Sequence, residues 1–251
     1  MTTASGAPGR RERQREATYA EIVAAARDLL AEDADLSLRA VASRIGMTAP
    51  GLYRYVANAQ ELVDLVAFEL DKAATEEFAA VAEQYPADDP AARLAAACVG
   101  FRQWALAHPR EFHVCFLNPI SATTDRREVL TSWTSGHYFT DLLFQIWERY
   151  DYPFPALDDL EPTVREAVLD PLIPAKAERV PREDRGLLWV WMRAWSALYG
   201  VLTLEVSGHC DPRVLESGML FRATLIEWLD RLNLDDERER LVRILDTEMA
   251  R

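Results

Sequence analysis

The chain has 251 residues, 49% of them hydrophobic, which is enough for one large or two modest domains around a buried core and excludes a disordered polymer. Its formal net charge is -13, with 41 acidic against 28 basic side chains, so any contact with a polyanion must rest on a focused patch and not on the body as a whole. No apolar run approaches the ~18 residues that span a bilayer, and "MTTASGAPGRRERQRE" has no apolar stretch behind its arginines, so neither a membrane anchor nor a secretory signal is expected.

Taken in order, the pattern is helical nearly everywhere. Thr18-x-x-Glu21 reads as a capping box, followed by Ile22, Val23, Ala26, Leu29 and Leu30 at the helical period. Ser37 is a good N-cap for a second helix carrying Leu38, Val41, Ala42 and Ile45, and Gly46 suits its left-handed stop. Thr48 caps a short third helix with Pro50 in its first turn and Leu52 and Val56 as its inward pair. Asn58-x-x-Glu61 opens a long fourth helix to about Glu83. After the break "YPADDP", Asp89 and Pro90 start another helix through Leu94, Cys98, Phe101 and Ala105. A long helix is predicted from about Arg126 to Tyr150, short pieces over the proline-rich stretch 151–184, and strong helices over about 184–207 and 212–232, with a last amphipathic piece near 236–250. No alternating strand pattern, internal repeat or low-complexity tract is present, so the expected fold class is all-α.

Positive charge is concentrated in two places. Pro8 to Arg15 holds Arg10, Arg11, Arg13 and Arg15 against Glu12, and Ser37 to Val56 holds Arg39, Arg44 and Arg54 with no acid. Two helices linked tightly through Gly46-Met47 fit a helix-turn-helix, although that spacing also suits an ordinary surface helix whose arginines snorkel. With Leu52 and Val56 turned inward, Thr48, Ala49, Pro50, Gly51, Tyr53 and Arg54 fall on the outward face, with Tyr55 at its flank. Small residues there would let a backbone approach base edges, while tyrosine hydroxyls and arginines suit phosphates, and a carboxylate in the window would face a polyanion.

The segment "IVAAARDLLAEDADLSLRAVASRIGMTAPGLYRYVANAQELVDLVAFEL" resembles the DNA-binding domain of the tetracycline-repressor family of bacterial regulators, most specifically in "GLYRYV" and the "ELVDLV" that follows it. By that resemblance Thr48, Tyr53 and Tyr55 grip phosphates, while Arg39, Ala49, Pro50, Gly51 and Arg54 approach bases and nearby backbone. The sequence departs from the pattern at Ala59, where the family often carries a lysine. The basic arm, Arg10 to Arg15, either compensates by reaching toward the minor groove or stays a solvated tail. The implied organisation is a flexible basic arm (1–17), a three-helix helix-turn-helix DNA-binding domain (18–60) and a larger helical ligand-binding and dimerisation domain (61–251).

In the C-terminal half, Leu188, Trp195, Tyr199 and Leu202 on one helix and Phe221, Leu225 and Trp228 on the next form apolar stripes, with small residues at Ser196, Gly200 and Gly218. These stripes belong either to an intramolecular core or to a four-helix homodimer interface, the arrangement expected here because two operator half-sites need two heads. The aromatic layer from 81 to 150 is either core or pocket wall. Phe101, Trp104, His137 and Trp147 are the candidate ligand-lining residues for a mostly apolar small-molecule effector. Cys98, Cys115 and Cys210 make no CxxC pair and are expected to be small buried hydrophobes. No HxxxH, HExxH, GxSxG or phosphate-cradling glycine loop occurs, so no metal, cofactor or catalytic site is expected. The sequence thus points to a cytoplasmic, nucleoid-associated homodimer that binds double-stranded DNA at a palindromic operator, most simply a repressor released by its effector. An activator, a corepressor-dependent regulator, and a helical small-molecule enzyme or carrier are the alternatives.

Overall fold

Arg10 to Ala31 contains neither proline nor glycine and is rich in arginine, glutamate, alanine and leucine, all good helix formers. In the computed structural model, which describes residues 9–119 and 126–251, this whole stretch is one helix, α1 (Arg10–Ala31). The expected start at Thr18 is therefore corrected. Thr18 lies in mid-helix, buried, and its hydroxyl donates back to the Gln14 carbonyl at 3.0 Å instead of capping. The described part of the expected arm, residues 9–17, is helical from Arg10, and residues 1–8 lie outside the described residues.

Local signals do set the next boundaries. Ser37 caps α2 (Leu38–Arg44) by accepting from the Ala40 N–H at 3.2 Å. Gly46, at φ +67°, ends it, and the Met47 N–H reaches the Ala42 carbonyl at 2.8 Å. Thr48 caps α3 (Ala49–Leu52), and Asn58 opens α4 (Ala59–Ala82), with Glu61 reaching back to the Ala57 N–H.

The described residues cluster into two compact units, one running up to Leu70 and resuming from Arg110 to 119, the other made of Asp71–Pro109 and the chain from 126 to Arg251. The first extends beyond the expected 18–60 because the chain returns to it along α6 (Pro109–Phe112). Arg110 pairs with Asp33 and donates to the Ala34 carbonyl, and Glu111 lies 3.4 Å from Arg27. Ile22, Ala26, Val41, Leu52, Val56, Leu62 and Val66 form its buried core.

The second unit is organised around α5 (Pro90–Ala107), capped by Asp89 at 3.1 Å from the Ala92 N–H. It packs against α8 (Thr134–Tyr150), α10 (Gly186–Ser207) and α13 (Arg238–Met249). Small residues allow the close approach: a Cβ on Gly100 would stand 3.0 Å from the Cβ of Phe78. Two expected long helices are each broken. The first divides into α7 (Arg126–Ser132) and α8 at Trp133, because the buried Asp71 carboxylate on α4 accepts the Thr134 and Ser135 N–H groups at 2.7 and 3.2 Å and so caps α8 from outside. The second divides into α11 (Pro212–Ser217) and α12 (Met219–Arg231) because Gly218 takes φ +67°. Between α8 and α10 the proline-rich stretch holds one short α-helix, α9 (Pro162–Leu169), and three 3₁₀ turns. No strand occurs among the described residues, and the fold is all-α.

By length and apolarity α10 is long enough to cross a bilayer, but here it is a core helix with Leu187, Leu188, Trp191 and Leu202 buried. It also carries Glu205, paired with Arg102 at 2.7 Å, whose guanidinium lies over the Phe221 ring. Burial raises the Glu205 carboxyl above its ordinary range even with Arg102 beside it. Cys98 and Cys115 are buried as expected, whereas Cys210 is exposed in the turn before α11.

Candidate nucleic-acid interface

The turn between α2 and α3 is closed by Gly46 at one end and Thr48 at the other, whose hydroxyl accepts from the Gly51 N–H at 3.3 Å. α3 itself is one turn long, but its hydrogen bonding continues through Tyr55 N–H to Leu52 O (2.8 Å) and Val56 N–H to Leu52 O (3.2 Å). Leu52 and Val56 are buried, which turns Thr48, Pro50, Tyr53 and Arg54 to solvent; Tyr53 is 53% exposed, unusual for so large a ring. Ala49 is half-buried. Gly51 is corrected: it is buried, and a Cβ there would meet Met47 Cγ at 2.9 Å, so its small size serves the packing of the turn and leaves no surface for a partner.

The three arginines of the acid-free window are not equivalent. Arg44 makes a bidentate pair with Glu32 (2.9 and 2.5 Å) and lies 4.0 Å from Asp28, both on α1; its hydrogen bonds hold the Glu32 carboxyl below the ordinary carboxylate range. Its charge is spent within the fold. Arg39 is exposed and has no ion-pair or hydrogen-bond partner among the described residues, and Arg54 makes only a 3.4 Å bond to the Gly51 carbonyl. The uncompensated positive charge of the window is thus Arg39 and Arg54.

Sequence reasoning missed Tyr19. Its hydroxyl donates to the Tyr55 carbonyl at 3.2 Å and accepts from Arg15 Nη2 at 2.9 Å, and its ring meets the Tyr55 ring edge-on at 5.7 Å. The spacing Arg11, Arg15, Tyr19 was legible as one helical ridge, but its partner 36 residues away was not.

Residues 94–227 match the family described as tetracyclin repressor-like, C-terminal domain, which is more than half of the chain. The chain belongs to the tetracycline-repressor family of transcriptional regulators. It is 25% identical over 221 residues to HTH-type transcriptional regulator Rv1816 of Mycobacterium tuberculosis, covering 86% of this chain and 92% of that protein, and is related to the same extent to HTH-type transcriptional regulator Mb1846 of Mycobacterium bovis. The crystal structure of SCO4313 shares the fold at a TM-score of 0.57 and 24% identity, over 88% of this chain and all of that one.

Four residues were expected to line a ligand pocket. Phe101 and Trp104 are buried in the second unit, where Phe101 stacks on Trp104 at 6.2 Å and on Trp195 at 6.1 Å. Trp147 packs against Phe144 and Phe154. His137 borders a shallow surface cleft, lined also by Thr140, Asp141, Phe144, Lys176, Arg179 and Trp191. Its character is mixed: Arg179 lies 4.1 Å above the Phe144 ring and pairs with Asp141 at 2.6 Å, and His137 Nε2 lies 2.8 Å from the Thr131 carbonyl.

The expected dimer residues also divide. Leu188, Leu202 and Phe221 are fully buried within one chain and have no surface left for a second copy, because the helical period turns them toward α5 and the core. Trp195, Tyr199, Leu225 and Trp228 are half-buried, while Leu204 and Met219 are exposed. Among the described residues no group of three or more His, Cys, Asp or Glu is placed to hold a metal ion.

Proposed function

We propose that this regulator acts as a homodimer on a palindromic operator in double-stranded DNA, as a cytoplasmic repressor released by a small-molecule effector. The observation that carries the DNA-binding half is the exposed, acid-free face made by Arg39, Thr48, Pro50, Tyr53 and Arg54, on a chain whose net charge is -13. Such a face draws phosphate to one place and repels it elsewhere. In this reading Thr48, Tyr53 and Tyr55 hold phosphates, Ala49 and Pro50 allow close approach to the groove, and Arg39 and Arg54 reach base edges or backbone. A helix some 10–12 Å across does not enter a minor groove about 6 Å wide as an extended arm does, so the arginines of α1 are assigned to phosphates and not to the groove floor.

Dimerisation is supported by α10. A Cβ on Gly200 would meet no atom of this chain within 4 Å, and Ser196, Gly200 and Leu204, spaced by four, leave a smooth and partly exposed strip. Two copies meeting there would carry two heads to half-sites about 34–36 Å apart. The effector is assigned to the second unit, with Phe101, Trp104, His137 and Trp147 as its candidate lining, and its coupling to DNA release needs only ~1–3 kcal/mol.

The test is fluorescence anisotropy on duplexes selected from a random pool, across a salt series. Enrichment of a palindrome with affinity falling steeply as salt rises supports the reading; a folded dimer that enriches nothing at low salt contradicts it. Tyr53→Phe is expected to weaken binding to all sequences alike, whereas Arg39→Ala relaxes preference at one base pair.

A further inference from the structure

We infer that Tyr19 is a positioning residue for DNA binding: it locks the arginine ridge of α1 to the end of the recognition segment, so that Arg15 is presented to the same phosphate strand that Tyr53 and Tyr55 meet. The inference rests on the DNA-binding reading above and adds to it a residue outside the helix-turn-helix.

Tyr55 lies beyond the last α-helical residue of α3, where carbonyls lose their intrahelical partners. The Tyr19 hydroxyl supplies the missing donor at 3.2 Å. That hydroxyl then accepts from Arg15 through both Nη2 (2.9 Å) and Nε (3.3 Å), so its one donor and two lone pairs are all used. The Arg15 guanidinium also lies 5.4 Å from the centre of the Tyr19 ring. Of its five donors, three remain for an outside acceptor. Arg15 is exposed, and its partner here is a neutral phenol, so its full charge is retained. Arg44, neutralised by Glu32, is the contrast within the same unit.

Arg11, Arg15 and Tyr19 are spaced by four and lie on one ridge of α1. Without Tyr19 an exposed arginine keeps the rotamer freedom of a long side chain, which binding would have to remove. With it, the guanidinium is held beside the Tyr55 backbone before DNA arrives. The chemistry at the end of the ridge suits a phosphodiester: a planar cation with free N–H groups beside the half-buried Tyr19 and Tyr55.

The experiment is a double-mutant cycle of Tyr19→Phe and Arg15→Ala in the full chain, read as affinity and as the slope of log K against log salt on the selected duplex. Tyr19→Phe keeps the ring contact with Tyr55 and removes only the hydroxyl. It is expected to weaken binding roughly three- to tenfold and to reduce the salt slope by about 0.9 per recognition head, the signature of one lost phosphate contact. Arg15→Ala should give the same slope, and the double variant no further loss. A fold defect lowers the active fraction without moving the slope, so the slope separates positioning from stability. The inference is overturned if Tyr19→Phe keeps the wild-type slope, or if the two losses add. Wild-type protein that selects no duplex overturns the DNA-binding reading itself, and the cycle is then not reached; selection by wild type with an unmoved Tyr19→Phe overturns Tyr19 alone.

Discussion

Asp71 is the place where removing one carboxyl group should have the largest readable effect on stability. It is fully buried on α4, and its Oδ2 accepts two backbone N–H groups at the start of α8, Thr134 at 2.7 Å and the buried Ser135 at 3.2 Å. Asp71→Ala leaves both donors without their acceptor. A hydrogen bond to a charged group contributes about 1.5–3 kcal/mol, and a lost N-cap costs about 0.5–2 kcal/mol. Part of this is offset, because Oδ1 of the same carboxylate is buried with no partner among the described residues and burial raises the group above its ordinary value of 3.8 despite the hydrogen bonds. The net expectation is a loss of about 2–3 kcal/mol, which at an m-value near 3 kcal/mol/M moves the urea midpoint down by roughly 1 M. Asp71→Asn keeps an acceptor oxygen without the ionisation and should cost under about 1 kcal/mol at pH 7.

The sign of the pH dependence follows from the raised folded value. The protonated form is favoured by folding, so this contribution is complete below the ordinary value and is lost as pH rises through the folded one. Wild type should therefore lose stability relative to Asp71→Asn as pH rises from about 4 toward 7. Equilibrium urea unfolding followed by circular dichroism at several pH values reads both effects. An Asp71→Ala midpoint equal to wild type, or an Asp71→Asn protein as weak as Asp71→Ala, refutes the reasoning.

Three further outcomes are expected. Gly186→Ala places a Cβ 1.9 Å from the Pro155 carbonyl oxygen, a backbone atom that cannot rotate away; overpacking of about 1–3 kcal/mol or more should lower the thermal midpoint clearly, and an unchanged midpoint contradicts the packing described. Tyr152→Phe removes a buried hydroxyl that donates to the Leu143 carbonyl at 3.1 Å and accepts from the Trp191 indole at 2.8 Å; a cost of about 1–3 kcal/mol is expected, with a change in tryptophan emission as the check. Arg44→Ala should change stability little, as exposed ion pairs do, and should leave DNA affinity within about twofold, because that arginine is already neutralised. A steep affinity loss would show that the Arg44 pair opens on DNA.

Boundaries written in neighbouring residues were legible from the sequence: Ser37, Thr48, Asn58 and Asp89 cap helices within four residues of themselves, and Gly46 ends one. Boundaries imposed from a distance were not. The break at Trp133 is made by Asp71, 63 residues before the N–H group it accepts. Gly218 was visible as a small residue, but its role as a left-handed break depends on the chain turning between α11 and α12. Counting charges gave the basic window three arginines, and only the fold shows that Arg44 is answered by Glu32 and Asp28 on the preceding helix. Aromatic periodicity likewise marks a face without saying what covers it. Phe101 and Trp104 stack on one another inside the second unit, and the shallow cleft beside His137 uses Lys176 and Arg179 from the proline-rich stretch, where no periodicity exists to read.

The alanines and glycine of α5 have a consequence for how such a protein can change. Ala91, Ala92, Ala96, Ala97 and Gly100 are all buried, and at Gly100 even one added carbon would press on the Phe78 backbone. A helix packed this closely admits almost no drift, since every larger side chain must push a neighbouring helix aside. The cleft residues on α8 and in the 174–180 stretch border solvent and can be exchanged with little strain. Tolerance to variation is thus divided within one domain: a spine that resists change holds the architecture while the adjacent wall is free to diverge.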